Sequence, residues 1–134
     1  MKFLKFHFPF ILWLLVIFAE SSMPGDFYPQ VDIVNADKIL HMGIYGLLAM
    51  LCYISLIHTE KVNTFTANPL TWTIIIGSFY GASDEFHQLF VPNRSCDFWD
   101  WVADTSGVII AAILIKYFLS RKMKLFGNAK VIAN

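Results

Sequence analysis

The sequence predicts an all-α integral membrane protein, a bundle of four transmembrane helices with both termini in the cytoplasm. Of its 134 residues, 57% are hydrophobic and 15% are charged, which is more apolar than an ordinary soluble domain. Four apolar stretches are long enough to cross a hydrocarbon core, which takes roughly 17 to 25 helical residues. The formal net charge is zero and no basic stripe is present, so a nucleic acid partner is not expected.

The four predicted transmembrane segments are separated by short polar or proline-containing stretches. Pro24, Pro69 and Pro92 mark helix boundaries, because proline interrupts a helix. The sequence shows no internal repeat, Gly-rich phosphate loop or soluble appendage, so residues 1–134 are predicted to form a single transmembrane domain. The four segments cover about Phe3–Ala19, Ile39–Ile57, Leu70–Val91 and Phe98–Leu119.

The Lys and Arg residues indicate the orientation, because they are retained on the cytoplasmic side of a membrane. Eight of the ten basic residues lie on the side of both termini, whereas nine of the ten acidic residues lie on the opposite side. The acidic residues are therefore predicted to face outward from a multi-pass protein of the bacterial cytoplasmic (inner) membrane. The eight basic residues are Lys2, Lys5, Lys61, Lys116, Arg121, Lys122, Lys124 and Lys130.

An alternative for the first segment is a signal peptide. Lys2 and Lys5 precede an apolar stretch, and Ala19-Glu20-Ser21 loosely resembles a cleavage site. Cleavage there would leave the other three segments in the same orientation.

Polar residues recur at helical spacing on three of the four segments, so each of these helices carries a polar stripe. The turn Pro92–Ser95 makes the third and fourth segments antiparallel neighbours. Asp84 and Asp104 then reach a similar depth, about 10 to 12 Å below this turn. Three helices are thus predicted to form one outward-facing polar pocket. The stripes are Asp37, His41 and Tyr45; Tyr80, Asp84 and His87 or Gln88; and Asp97, Asp100 and Asp104.

Ionisable groups at membrane depth are expensive, so they usually face a protein interior, a partner or a water-filled cavity. Asp84, Glu85 and Asp104 would repel one another unless some are protonated or a cation is bound. A simpler interpretation is also open: Asp97 could cap the fourth helix, and the remaining polar residues could form a purely structural network.

Candidate roles follow from the chemistry of these side chains. In an enzyme, Asp84, Glu85, His87 and His41 would supply acid-base groups or metal ligands. The run Asp84–Gln88 matches neither the HExxH nor the GxSxG motif, so no reaction is assigned. A divalent cation is a possible cofactor, because carboxylates can bridge such an ion to phosphate. The candidate substrate-binding residues are Arg94, Lys38, Tyr80, Gln88, Asp100 and Asp104.

These motifs together resemble the VanZ-like family of bacterial membrane proteins. The similar residues are Asp37-Lys38 with His41 and Tyr45, the stretch from Tyr80-Gly81 to Arg94, and Asp97 with Asp100, Asp104 and Gly107, and they span about Glu20 to Ala111. The resemblance implies a small multi-helix inner-membrane protein of a family whose name-giving members are associated with reduced susceptibility to the glycopeptide teicoplanin. It implies no particular reaction, cofactor or catalytic residue.

Three function classes are consistent with the sequence. The preferred one is a cell-envelope protein whose outward pocket binds, and in one version modifies, an amphiphilic or lipid-linked molecule. The second is a transporter or flippase that uses the carboxylates as a proton or cation relay, although such a relay needs access from both faces. The third is a non-catalytic membrane partner subunit. The sequence does not indicate an oligomeric state.

Overall fold

The computed structural model of the protein describes residues 1–27, 36–60 and 64–132, with side chains up to residue 122. Lys61 and the side chains of Lys124 and Lys130, which contributed to the predicted orientation, lie outside this description. Within these ranges the chain is helical and contains no strand, so the all-α prediction is confirmed. The helices are α1 Lys2–Phe6, α2 Phe8–Ser21, α3 Ala36–Ile57, α4 Thr64–Ala67, α5 Pro69–Gln88 and α6 Phe98–Ile132, with a 3₁₀ turn at Gly25–Phe27.

The helix boundaries differ from the predicted segments in three places. The first segment is interrupted at His7, and α2 begins with Phe8-Pro9, where proline is tolerated because the first turn has no internal amide partner to lose. Helix α5 ends at Gln88 and not at Val91, because the following amides form tighter turns to carbonyls three residues earlier. Helix α6 continues past the predicted end at Leu119 to Ile132.

Two described helices are long and apolar enough to cross a membrane, as judged by length and composition. They are α3 and the Phe98–Lys122 part of α6, whereas α2 is apolar but shorter. Both helices leave large apolar side chains exposed along their outer faces, including Leu47, Ile57, Ile110 and Ile113. Such faces are suited to contact with lipid tails.

Helices α2, α3, α5 and α6 alternate in direction, which brings the acidic residues to one end of the bundle. At this acidic end, defined by Ser21, Ala36, Gln88 and Phe98, the amide of Gly25 donates to the carbonyl of Pro92 over 3.1 Å. At the opposite end, Lys2 pairs with Glu60 at 2.9 Å, and His7 bonds to Ser55 at 2.8 Å.

Small residues set the close packing of α6 against α3 and α5. A Cβ at Gly107 would lie 2.2 Å from the carbonyl oxygen of Met42, so at this point the backbones of α6 and α3 are in contact. A Cβ at Gly77 would lie 2.7 Å from a methyl of Val108, which is fully buried. The core below the acidic end is apolar and includes Leu48 and Ala112.

We expect Gly107→Ala to destabilise the bundle. The added methyl meets a backbone carbonyl that cannot rotate away, so α3 and α6 must separate, at a cost of about 1–3 kcal/mol. The matched control is Gly43→Ala on α3, because a Cβ there meets nothing within 4 Å. Thermal or denaturant unfolding of both variants in detergent measures the difference, and equal stabilities would contradict the contact.

Candidate functional site

Three side chains from three helices meet at the acidic end. His41 comes from α3, Glu85 from α5 and Asp104 from α6, and one ligand atom from each lies within 4.8 Å of the others. Asp104 is 0% exposed and Glu85 3%, whereas His41 is partly exposed toward the end of the bundle. We call these residues the His-Glu-Asp cluster.

Each carboxylate of the cluster has one oxygen engaged and one without a partner. Asp104 Oδ1 lies 2.9 Å from His41 Nδ1, and Glu85 Oε2 accepts a hydrogen bond of 2.8 Å from the backbone amide of Asp97. Glu85 Oε1 and Asp104 Oδ2 are buried without a hydrogen-bond partner among the described residues. A buried polar atom without a hydrogen-bond partner costs about 1–3 kcal/mol of stability. Two such oxygens in one cluster indicate a compensating interaction.

The floor of the cluster is formed by Gly81 and Tyr45. A Cβ at Gly81 would lie 3.1 Å from Asp104 Oδ2, so the absence of a side chain lets the carboxylate approach α5. The Tyr45 ring is buried beside the same position, and a ring carbon lies 3.4 Å from it. Asp104 of α6 therefore packs directly against α5 at Gly81.

Lys38 links the cluster to the surface of the acidic end. Its ammonium contacts Asp37 at 3.1 Å, Asp97 at 2.7 Å and Asp100 at 2.5 Å. Asp100 Oδ1 also lies 3.8 Å from His41 Nε2, so it stands between this ion-pair network and the cluster. One lysine thus neutralises part of the charge of three carboxylates, and its charge is already committed to them.

Asp97 caps helix α6, as one of the two sequence interpretations held. Its Oδ1 accepts a hydrogen bond of 2.8 Å from the amide of Trp99, which satisfies a first-turn donor of the helix. The hydrogen bond from the Lys38 ammonium, assisted by that from the Trp99 amide, holds the pKa of the Asp97 carboxyl below its usual range.

Asp84 is buried next to the cluster but has a different set of neighbours. The Gln88 amide donates to its Oδ2 at 3.4 Å, and the hydroxyls of Ser21 and Tyr45 lie close to its carboxylate. Ser21 is fully buried at the last position of α2, two residues beyond the first predicted segment. The spacing argument did not select Ser21, because it lies outside the three segments that carry polar stripes.

The other predicted site residues lie outside the His-Glu-Asp cluster. His87 Nε2 lies 3.0 Å from the Ser22 hydroxyl, the Tyr80 hydroxyl donates to the Leu14 carbonyl at 2.6 Å, and Arg94 pairs with Glu20 at 3.2 Å. All three side chains connect α5 or the following turn to α2 or the residues just after it. The structure thus joins α2 to the site through contacts that the sequence did not predict.

The chemistry of the cluster favours a cation over an anion. Two carboxylates and an imidazole offer oxygen and nitrogen ligands for a divalent ion. The two cationic residues that the sequence assigned to anion binding, Lys38 and Arg94, are both paired with carboxylates. The roles predicted for individual residues remain predictions, while the geometry identifies His41, Glu85 and Asp104 as the group that meets.

Comparison with known proteins assigns the chain to a family. A model of the family described as VanZ/LLP1 matches residues 6–120, which is most of the chain. The chain belongs to the VanZ/LLP1 family. The resemblance noted from its motifs is thereby confirmed, and the match extends over α2, α3, α5 and most of α6, the helices that build the acidic end.

This VanZ/LLP1 protein is also similar to an uncharacterized protein of the fission yeast Schizosaccharomyces pombe. The two are 27% identical over 129 residues, which is 92% of this chain and 76% of the yeast protein. Similarity to a eukaryotic protein means that the sequence relationship alone does not restrict the chain to bacteria. No solved structure matches the chain.

Asp97→Asn should remove part of the acid sensitivity of this VanZ/LLP1 protein. Asparagine still caps the helix, so the substitution isolates the charge. Because the pKa of Asp97 is lowered by folding, its stabilisation is present above the unfolded value of about 3.9 and is lost as the pH falls through the folded pKa. Its side chain is 39% exposed, which keeps the contribution near 0.5 kcal/mol, roughly the size of a surface ion pair.

Unfolding of wild type and variant should be measured in detergent at about pH 6 and about pH 3, on either side of the titration of an aspartate. We expect the wild type to be the more stable protein at the higher pH and the difference between the two to be smaller at the lower one. A stability difference that is the same at both values would contradict the role of the charge.

Proposed function

We propose that this chain is a multi-pass membrane protein of the cell envelope that binds the polar head of an amphiphilic or lipid-linked molecule at its acidic end. The observation that carries the proposal is that exposed apolar side chains lie next to buried polar side chains at that end. Ile39 and Leu40 are exposed between Lys38 and His41, and Phe86 is exposed next to Glu85.

Helix α6 adds exposed aromatic side chains to the same end, and we call these exposed apolar side chains around the cluster the rim. Phe98 and Trp99 are exposed beside the acidic residues of the first turn of α6. A molecule with a polar head and an apolar tail fits this arrangement, because the head can reach the cluster while the tail lies along the rim. Purely polar solutes would gain nothing from the exposed aromatic and aliphatic groups.

The helix directions favour an anionic head held through a cation. The N-terminal ends of α3 and α6 both lie at the acidic end, and the N-terminus of a helix carries a partial positive charge. The carboxylates of the cluster would repel a phosphate unless a divalent ion stands between them. The ligand class we propose is therefore a lipid with a phosphate head group.

The proposal includes four membrane-spanning helices with both termini in the cytoplasm of a bacterium. Helix α5 has 20 residues, and at about 1.5 Å per residue it is roughly as long as a hydrocarbon core is thick. The alternating helix directions bring the acidic residues to one end of the bundle. The distribution of Lys and Arg residues supports an outward orientation for that end. The cell-envelope setting, and with it a link to teicoplanin susceptibility, enters through the family resemblance.

Binding is preferred over translocation because of what lies below the cluster. The core beneath Tyr45 includes Leu48, Ala49, Val108 and Ala112, none of which can carry a proton or coordinate an ion. A relay would need protonatable groups accessible from the other face as well.

Cysteine labelling tests the orientation, because the two cysteines differ in exposure. Cys96 is exposed at the acidic end and Cys52 is buried. We expect a membrane-impermeant maleimide to label the wild type in intact cells. The matched control is Glu60→Cys combined with Cys96→Ser, which should react only after permeabilisation because residue 60 lies at the opposite end. Reaction of that control in intact cells, with protection of Cys96, would reverse the proposed orientation.

Ligand binding is tested with fluorescent phosphatidic acid as the probe and the corresponding diacylglycerol as the control without phosphate. In nanodiscs of phosphatidylcholine with Mn²⁺ present, we expect the wild type to bind the phosphate-headed lipid. Asp104→Asn and His41→Gln each remove a cluster side chain that would hold the cation, so they should weaken binding at least about tenfold, a change of roughly 1.4 kcal/mol. Glu60→Gln removes an exposed acid at the opposite end and should bind as wild type does. Equal binding of the two probes, or unchanged binding by the site variants, would argue against the proposal.

A further inference from the structure

We infer that the His-Glu-Asp cluster is a binding site for one divalent transition-metal ion, with His41, Glu85 and Asp104 as its protein ligands. The three residues come from three different helices, yet their ligand atoms lie within 4.8 Å of one another. The inference deepens the proposed function, on which it rests for the role of the ion but not for the existence of the site.

The spacing of the ligand atoms fits a single ion. Two ligands of one ion lie at most two bond lengths apart, about 4 to 5 Å for bonds of roughly 2.0–2.4 Å. The 2.9 Å between His41 Nδ1 and Asp104 Oδ1 is close to the separation of neighbouring ligands, which is about 3 Å for such bonds. The ligand atom of Glu85 lies within 4.8 Å of the other two, inside the largest separation that one ion allows.

An independent observation is the state of the carboxylate oxygens. Glu85 Oε1 and Asp104 Oδ2 are buried in a protein interior with no hydrogen-bond partner among the described residues. The second oxygen of Glu85 is held in place by the Asp97 amide, which is not one of the proposed ligands. The Glu85 carboxylate is thus oriented by the protein while its other oxygen retains ligand capacity, as expected of a residue that coordinates an ion.

The local charge leads to the same conclusion. Glu85 and Asp104 are buried together, and Asp100 lies at the mouth of the cluster. Lys38 is shared by Asp37, Asp97 and Asp100, and it makes no salt bridge to the cluster carboxylates within the described part of the chain. A divalent ion would neutralise both buried carboxylates at once, and His41 would remain neutral to coordinate it.

The donor set selects the class of ion. An imidazole with carboxylates suits Mn²⁺, Fe²⁺ or Zn²⁺, whereas Ca²⁺ and Mg²⁺ prefer sites made of oxygen alone. No thiolate belongs to the cluster, because Cys52 is buried deeper and Cys96 is exposed. Three protein ligands leave coordination positions open, and a phosphate oxygen of a bound head group would be the next ligand.

The experiment uses the full chain, purified in detergent, stripped with a chelator and titrated with Mn²⁺ alone. We expect about one ion per chain, detected as loss of the free-ion signal in electron paramagnetic resonance, together with a rise in Tm on metal addition. Glu85→Gln, Asp104→Asn and His41→Gln should each weaken binding at least about tenfold and abolish the rise in Tm. Glu60→Gln, Asp26→Asn and His58→Gln make the same chemical changes away from the cluster and should bind Mn²⁺ as wild type does.

The wild type alone can overturn the inference, so it does not depend on whether a buried variant folds. Substoichiometric binding with no change in Tm, for Zn²⁺ as well as for Mn²⁺, would refute the site, as would folded cluster variants that bind like wild type. Phosphatidic acid binding is then repeated with chelator present. If the ion binds but the lipid does not, the proposed function fails and the metal site stands. If the lipid binds with chelator present and no ion is taken up, the metal site fails and lipid binding stands.

Discussion

Two carboxylates buried side by side, Glu85 and Asp104, constrain the whole acidic end of the bundle. Each comes from a different helix, and each uses one oxygen to hold another helix. Glu85 binds the amide of Asp97 at the start of α6, and Asp104 bonds to His41 of α3. Because an unpaired buried carboxylate is costly, these contacts have to form together, and their formation requires α3, α5 and α6 to approach closely.

A close backbone contact between α3 and α6 lies directly below this group. Gly107 follows Asp104 by almost one helical turn and meets the carbonyl of Met42, the residue after His41. Gly81 plays the corresponding part on α5, where it leaves room for the carboxylate of Asp104. The small residues and the polar cluster are therefore two aspects of one packing arrangement. The glycines allow the helices to meet at the distance that the hydrogen bonds require.

Helix α2 and the residues after it are attached to this core by a separate set of bonds. Arg94 reaches Glu20, and the Gly25 amide reaches the Pro92 carbonyl. A Cβ at Gly25 would lie 1.9 Å from the carbonyl oxygen of Asn93, so the contact depends on glycine. These bonds tie α2 to the acidic end, where His41 and Asp100 are partly exposed beside the cluster. Arg94 and His87 thus have structural contacts that account for their place in the sequence motif.

The sequence by itself determined the helical class, the family and the side of the bundle on which the acids lie. Apolar length, proline positions and the asymmetry of charge are one-dimensional properties, and the motif around Tyr80–Arg94 is recognisable without coordinates. Helical spacing predicted a similar depth for Asp84 and Asp104, and the structure packs Asp104 against Gly81, three residues before Asp84 on α5. Only the tertiary structure decided which polar residues meet, because rotation about each helix axis and the positions of glycines at the contacts set the partners. It joined His41 to Asp104 and Glu85 and turned His87 and Arg94 toward α2. It also left two buried carboxylate oxygens without a hydrogen-bond partner among the described residues, which is the physical basis for proposing a cation there.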